Sequence, residues 1–196
     1  MRHNRIVNPI VILAKLHIQP IHHRQAASYY SAIDKALRSV DGYEGVGLWQ
    51  SPTRTSEFIA LYHYASLAAA EKGLEVVSEE GVLSESMPSE EIPADVRRVE
   101  IFKKSGRREP NAKVGDFLSI SFRLADPGYG ERLMEEIDRI IDEISYIPGF
   151  LGAEYGRNQS LEDEIIGIVS WDSREAFASS VPPGTLYEVN LYQRVV

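Results

Sequence analysis

The chain repeats itself. Shifted by 107 residues, the sequence falls on itself without a gap from Ile10 to about Glu75. "IVILAKLHIQP" (Ile10–Pro20) falls on "FLSISFRLADP" (Phe117–Pro127), with the prolines aligned. Ala26, Tyr30, Ile33, Leu37 and Val40 fall on Leu133, Ile137, Ile140, Ile144 and Ile147. The spacing of four, three, four, three in both is the buried stripe of an amphipathic helix. "VDGYEGVGLW" (Val40–Trp49) then falls on "IPGFLGAEYG" (Ile147–Gly156), and "EFIALYHYAS" (Glu57–Ser66) on "EIIGIVSWDS" (Glu164–Ser173). Few residues are identical, yet the apolar register is kept throughout, so the chain reads as a duplicated unit.

Each copy reads strand, helix, strand, strand, helix, strand. The first has strands near Ile10–Ile18, Gly45–Gln50, Glu57–Tyr64 and Arg97–Lys103. The second has strands near Asp116–Ala125, Gly152–Arg157, Glu164–Trp171 and Leu186–Arg194, with helices near Gly128–Tyr146 and Ser173–Val181. "QSPTRTS" (Gln50–Ser56) and "RNQSLED" (Arg157–Asp163) are polar hairpin turns. Asp172 with Glu175 reads as a capping box for the last helix, which Pro182 and Pro183 stop. Gly42 and Gly149 suit left-handed helix stops, and Gly45 and Gly152 a close backbone approach. The expected boundaries are 1–104 and 114–196 for the halves, with 105–113 as linker. "SEEGVLSESMPSEEIPADV" (Ser78–Val96) is an acidic excursion, readable as a solvated loop or as a flap.

This order gives a ferredoxin-like sheet with helices on one face and the other face bare. A bare apolar face must be covered. The expected fold class is therefore α+β, with two ferredoxin-like halves packed sheet to sheet into an intramolecular dimeric α+β barrel.

The formal charge of −8 disfavours a nucleic-acid partner, which needs a basic surface. The absence of cysteine removes disulfides, thiolate metal sites and cysteine nucleophiles. The basic, then apolar N-terminus is broken by Lys15 with no small-residue cleavage site after it, and no apolar run is long enough to span a bilayer. A cytoplasmic protein with no membrane partner is the default reading. His22 and His23 are adjacent on a helix and point apart; His17 and His63 fall on the strand face assigned to the helices. No zinc spacing, phosphate loop, nucleophile elbow or dinucleotide fingerprint occurs, so no metal and no cofactor is expected.

"IIGIVSWDSREAF" (Ile165–Phe177), "FRLADPGYGERLMEEI" (Phe122–Ile137) and "IPGFLGAEYGRN" (Ile147–Asn158) resemble the antibiotic biosynthesis monooxygenase-like superfamily. The resemblance covers nearly all of the second half and, through the repeat, most of the first. It implies the barrel fold. It also implies one of several activities: cofactor-independent oxygenation of aromatic polyketides, haem degradation, isomerisation, or none. The haem-degrading branch uses an Asn on the first strand, a Trp at the end of the third and a His after the following helix. Here those positions hold Ser121, Trp171 and no His, and in the first half Ala14 and Tyr64, again with no His. That pattern disfavours haem degradation.

Strand alternation sorts the candidate residues. Leu118, Ile120, Phe122 and Leu124 form one unbroken apolar face, assigned to the helices. Phe117, Ser119, Ser121 and Arg123 are then expected inside the barrel, opposite Ile10, Ile12, Ala14 and Leu16 of the first half. Trp171, Tyr64, Phe58, Tyr62, Ile165 and Val169 are expected there too. The expected site is an apolar interior pocket for a small aromatic molecule. Arg123 and Trp171 are the catalytic candidates, and Ser119, Ser121, Tyr64 and Tyr155 the substrate-binding candidates. The alternative readings are barrel core for the aromatics and a solvent-reaching Arg123. The expected function is a small-molecule binder, either a cofactor-independent monooxygenase or a non-catalytic binding or structural member of the superfamily. The chain is its own pseudo-dimer, and further association into homo-oligomers stays open.

Overall fold

A computed structural model describes residues 7–79, 95–106, 111–181 and 189–196. The elements follow the duplicated order: β1 (Ile10–His17), α1 (His23–Leu37), β2 (Tyr43–Gln50), β3 (Glu57–Tyr64), α2 (Leu67–Glu79) and β4 (Asp95–Gly106), then β5 (Phe117–Leu124), α3 (Gly130–Ile144), β6 (Phe150–Asn158), β7 (Leu161–Trp171), α4 (Arg174–Ser180) and β8 (Val189–Arg194). The strands close into one antiparallel barrel in the order β1-β3-β2-β8-β5-β7-β6-β4. The fourth strands make the closure. β4 pairs with β1 of its own half and β6 of the other, while β8 pairs with β5 and, through Trp49–Arg194 and Gln50–Gln193, with β2. The expected pseudo-dimer is thus a single barrel without a free edge. β4 runs through Gly106 before residues 107–110, which lie outside the description, as does most of the acidic excursion.

The barrel interior corrects the expected sidedness. Its packed cluster joins Val11 and Leu13, Trp49, Ile59 and Leu61, Val99 and Ile101, Leu118 and Ile120, Ile166 and Ile168, and Tyr192. Phe122 packs against it half-buried, while Leu124, at the strand end, is exposed. The unbroken apolar face of β5 therefore points into the barrel, and Phe117, Ser119, Ser121 and Arg123 point toward the helices. Ile10, Ala14, Leu16, Phe58, Ile165, Val169 and Tyr64 likewise pack with helix residues. The physical reason is closure. A closed eight-stranded interior is filled by side chains and has no water to satisfy polar groups, so it takes the more apolar face. A helix covers its sheet face only along one stripe and tolerates polar groups beside it.

Two further expectations change. The last helix is capped by Ser173, whose hydroxyl accepts from Ala176 N at 3.2 Å, rather than by Asp172. Gly42 and Gly149 have φ of +82° and +92°, but each sits in a turn beyond the helix end, with Tyr43 N donating to Val40 O and Phe150 N to Ile147 O. A positive φ at the third position is what a type II turn needs, and Pro148 suits the second.

The ends of the barrel are tied by charge. Lys15 Nζ lies 4.0 Å and Arg97 Cζ 4.7 Å from the Phe122 ring centroid. Arg97 also bonds Asp95 and, at 2.9 Å, Glu164, which accepts from Asn158 Nδ2 at 2.7 Å. These contacts join residues of both halves. No helix among the described residues is long and apolar enough to cross a membrane.

Candidate functional site

The helix-facing side of the second sheet is a grid set by register. One row runs Arg157–Ile165–Arg123 across β6, β7 and β5. The next runs Tyr155–Gly167–Ser121–Val189, the third Ala153–Val169–Ser119–Leu191, and the last Phe150–Trp171–Phe117–Gln193. Rows two residues apart along a strand are about 6–7 Å apart, so the grid is about 20 Å long from Arg123 to Phe117.

The side chains at the middle of the grid are small. Gly167 has none, and Ser121 Oγ fills its place, since a Cβ there would strike that hydroxyl at 2.9 Å. Beside it Ser119 is small and buried, and accepts from Trp171 Nε1 at 2.9 Å. The indole is held on edge by Phe150, with centroids 5.9 Å apart, and by Phe177 of α4 at 6.4 Å. Its ring position is thus fixed by one hydrogen bond and two aromatic contacts. Tyr155 stands on the α3 side, and burial, with Asp138 beside it, pushes its phenol up to about 12.

The covering helices bury only part of this face. α3 buries Gly130, Ile137 and Ile141, with Leu133 and Met134 packed half-buried over Ala153, Tyr155 and Ile165. α4 has seven residues and buries Ala176. Phe117, Ser121, Arg123, Val169, Val189 and Leu191 stay half-buried. This face is mostly apolar with a few polar groups, a composition suited to a small-molecule site, and is taken as the candidate cleft.

Ser119, Ser121, Arg123, Tyr155 and Trp171 are therefore brought to one face, but to the sheet–helix cleft rather than the barrel interior. Tyr64 does not join them. It lies under α2 of the first half, where its ring abuts Gly73. Gly167, Val189 and Leu191 were not singled out from sequence. The repeat carried the signal for Gly167, since it falls on Ala60 in an otherwise matched strand. His63, expected under the helices, points into the barrel and meets Glu154. Among the described residues, no group of three or more His, Cys, Asp or Glu is placed to hold a metal.

The family model for antibiotic biosynthesis monooxygenases matches residues 117–181, which include β5, β6, β7, α3 and α4. The matched stretch lies within the second half. Most of the cleft lies on it, with Val189 and Leu191 of β8 beyond it, and the first half repeats its element order. No curated protein matches the chain in sequence. Among solved structures, a proposed monooxygenase of Fusobacterium nucleatum aligns over 98% of this chain and 94% of its own, with TM-score 0.75 and 8% identity. An anthrone oxidase-like protein aligns over 96% and 92%, with TM-score 0.62 and 14% identity. A heme-degrading enzyme from Listeria monocytogenes aligns over 94% and 98%, with TM-score 0.52 and 11% identity. At such identities the likeness shows the fold, and it extends across both halves.

Proposed function

We propose that the second half binds a flat aromatic anion in this cleft and oxidises it with molecular oxygen, without a cofactor. The observation that carries the reading is the gathering of Trp171, Ser119, Ser121 and Arg123 on one sheet face, with Trp171 Nε1 bonded to Ser119 and Arg123 at the far end of the same strand as the serines. Phe117, half-buried, offers a ring surface for stacking, and the buried indole backs the same wall. Arg123 supplies a fixed positive charge for an enolate or phenolate.

The chemistry asks little more of the protein. An electron-rich diaryl methylene loses a proton, and its carbanion passes one electron to O2. Recombination gives a hydroperoxide, which loses water to leave a carbonyl. The sum is CH2 + O2 → C=O + H2O. Holding the anion in a dry, oriented site is the protein's share.

A second reading is a binding member without turnover. The titratable side chains on the described strand rows are Arg123, Arg157 and Tyr155. The first two are cations, and a phenol held near 12 is a poor base at neutral pH. On this reading the substrate would have to arrive already ionised, or not react.

Oxygen uptake by the purified protein with an anthrone separates the two. Uptake that falls at least tenfold in both Arg123→Ala and Trp171→Phe supports the oxygenase. Saturable binding without uptake supports the binding member. Haem broken down to a linear tetrapyrrole would overturn the preference against the haem-degrading branch.

A further inference from the structure

We infer that each chain carries one ligand site rather than two, because tyrosines of the first half have filled the twin of the second-half cleft. This rests on the cleft reading above and sets its stoichiometry. The 107-residue register holds through β7, so each cleft position on β5, β6 and β7 has a partner 107 residues earlier. Ser121 corresponds to Ala14, Arg123 to Leu16, Gly167 to Ala60, Val169 to Tyr62 and Trp171 to Tyr64. On the helix above, Ile137 corresponds to Tyr30 and Glu136 to Tyr29.

At the middle of the face the exchanges fill space. Ser121, Arg123 and Gly167 are aliphatic in the first half, and Val169 and Ile137 become tyrosine. Tyr29 and Tyr30 are both buried, with ring centroids 5.3 Å apart. Tyr30 meets Tyr62 at 6.2 Å. Tyr62 is half-buried as a whole, and burial and then Tyr30 hold its phenol well above its usual range. Tyr64 meets Tyr43 at 5.5 Å, and a Cβ on Gly73 of α2 would strike its hydroxyl at 2.5 Å. α2 has thirteen residues where α4 has seven, and α1 buries five side chains along its stripe.

The contrast in burial lies on the first strand of each half. Ala14 and Leu16 pack in one continuous cluster with Tyr29, Tyr30, Ile33 and Leu37. Ser121 and Arg123 at the matched positions remain half-buried. A duplicated binding fold needs both clefts only if both bind. A cleft released from that role gains stability when side chains fill it, since each buried aromatic removes a large apolar area from water.

The test is a fluorescence titration with 1-anilinonaphthalene-8-sulfonate, an aromatic anion, at protein concentrations well above its Kd. The expected result is one equivalent per chain, with at least a tenfold loss of affinity in Val169→Tyr, which installs the first-half plug in the second half. Circular dichroism and the melting temperature of that variant should stay close to those of the wild type, because Val169 is half-buried at the edge of its cluster and the matched position already carries a tyrosine. The converse pair, Tyr30→Ile with Tyr62→Val, should gain a second equivalent. Two equivalents in the wild type would overturn the inference while leaving a ligand-binding protein. So would one equivalent that survives Val169→Tyr, or a folded Tyr30→Ile/Tyr62→Val protein that still binds one. If that pair does not fold, the Val169→Tyr arm still decides. No saturable binding by the wild type would overturn the cleft reading itself.

Discussion

His63 and Glu154 meet inside the barrel, Nε2 to Oε1 at 2.7 Å, with side chains 1% and 4% exposed. One comes from β3 of the first half and the other from β6 of the second. The pair sits in an otherwise apolar interior, and the repeat does not preserve it: Ser170 and Gly47 hold the matched positions. Removing one partner strands the other in a dry site, which costs about 3–5 kcal/mol. His63→Ala and Glu154→Ala should each lower stability by about that much in urea unfolding. Replacing both with apolar residues of similar volume, His63→Leu with Glu154→Met, should cost clearly less than the sum. A strictly additive double replacement would show that the two residues do not act as a pair.

Two glycines with similar backbones should respond differently to a methyl group. Gly128 and Gly149 have φ of +82° and +92°. Around Gly128 a Cβ would find nothing within 4 Å, whereas at Gly149 it would strike Asp172 Oδ1 and Ala176 Cβ. Gly128→Ala should cost about 1–2 kcal/mol for the left-handed conformation alone. Gly149→Ala should cost more, because the β6 entry turn must then move away from α4. Equal losses of melting temperature in the two variants would refute the steric argument.

The sequence showed the duplication, the element order and the need for two sheets to cover each other, because each rests on local apolar spacing and on its recurrence 107 residues later. It did not show which strand face turns inward. Leu118–Ile120–Phe122 was correctly seen as the most apolar stripe of β5, but a stripe pattern is the same whether it meets helices or a barrel interior. The faces therefore came out inverted, while the grouping of Ser119, Ser121, Arg123 and Trp171 survived, since alternation keeps a face together whichever way it points. Tyr64 was lost from that group because it belongs to the matched face of the other half. The His63–Glu154 contact joins residues 91 apart, and nothing local to either strand announces it.

The buried tyrosines set the alkaline limit of the fold. Burial pushes the Tyr64 phenol up to about 12, and Tyr155 reaches about the same value. Burial also raises Tyr43 and Tyr62, each further raised by a hydrogen-bonded neighbour, Asp34 and Tyr30 respectively. A phenol whose folded value lies above its unfolded value near 10 stabilises the fold fully below pH 10. That contribution is lost as pH rises from 10 through 12. For Tyr64 the loss is about 2–3 kcal/mol. The absorbance of phenolate at 295 nm should therefore rise in two phases, with the second coinciding with unfolding by circular dichroism. Tyr64→Phe should shift that unfolding toward higher pH. Complete phenolate formation near pH 10 with the fold intact would contradict the burial of these rings.

The strand order predicts what the second half does alone. Residues 114–196 carry β5–β8, with one edge at β6 that in the whole chain pairs with β4, and another at β8 that pairs with β2. Their interior face presents Leu118, Ile120, Ile166, Ile168 and Tyr192, all nearly inaccessible in the closed barrel. Cut from the first half, this sheet has a bare apolar face and two open edges, and neither is stable in water. A second copy covers both. In the whole chain the fourth strand of each half joins the second strand of the other, so two copies can close a barrel by placing β8 of each beside β6 of its partner. Glu154 opposes closure, because the copy brings Ser170 where His63 stood and leaves the carboxylate without its imidazole. Residues 114–196 should therefore sediment as a dimer, less stable than the intact chain. Ser170→His, which restores an imidazole opposite Glu154 in each copy, should raise its melting temperature. A folded monomer in sedimentation equilibrium at micromolar concentration would show that closure of the barrel is not what holds this half together.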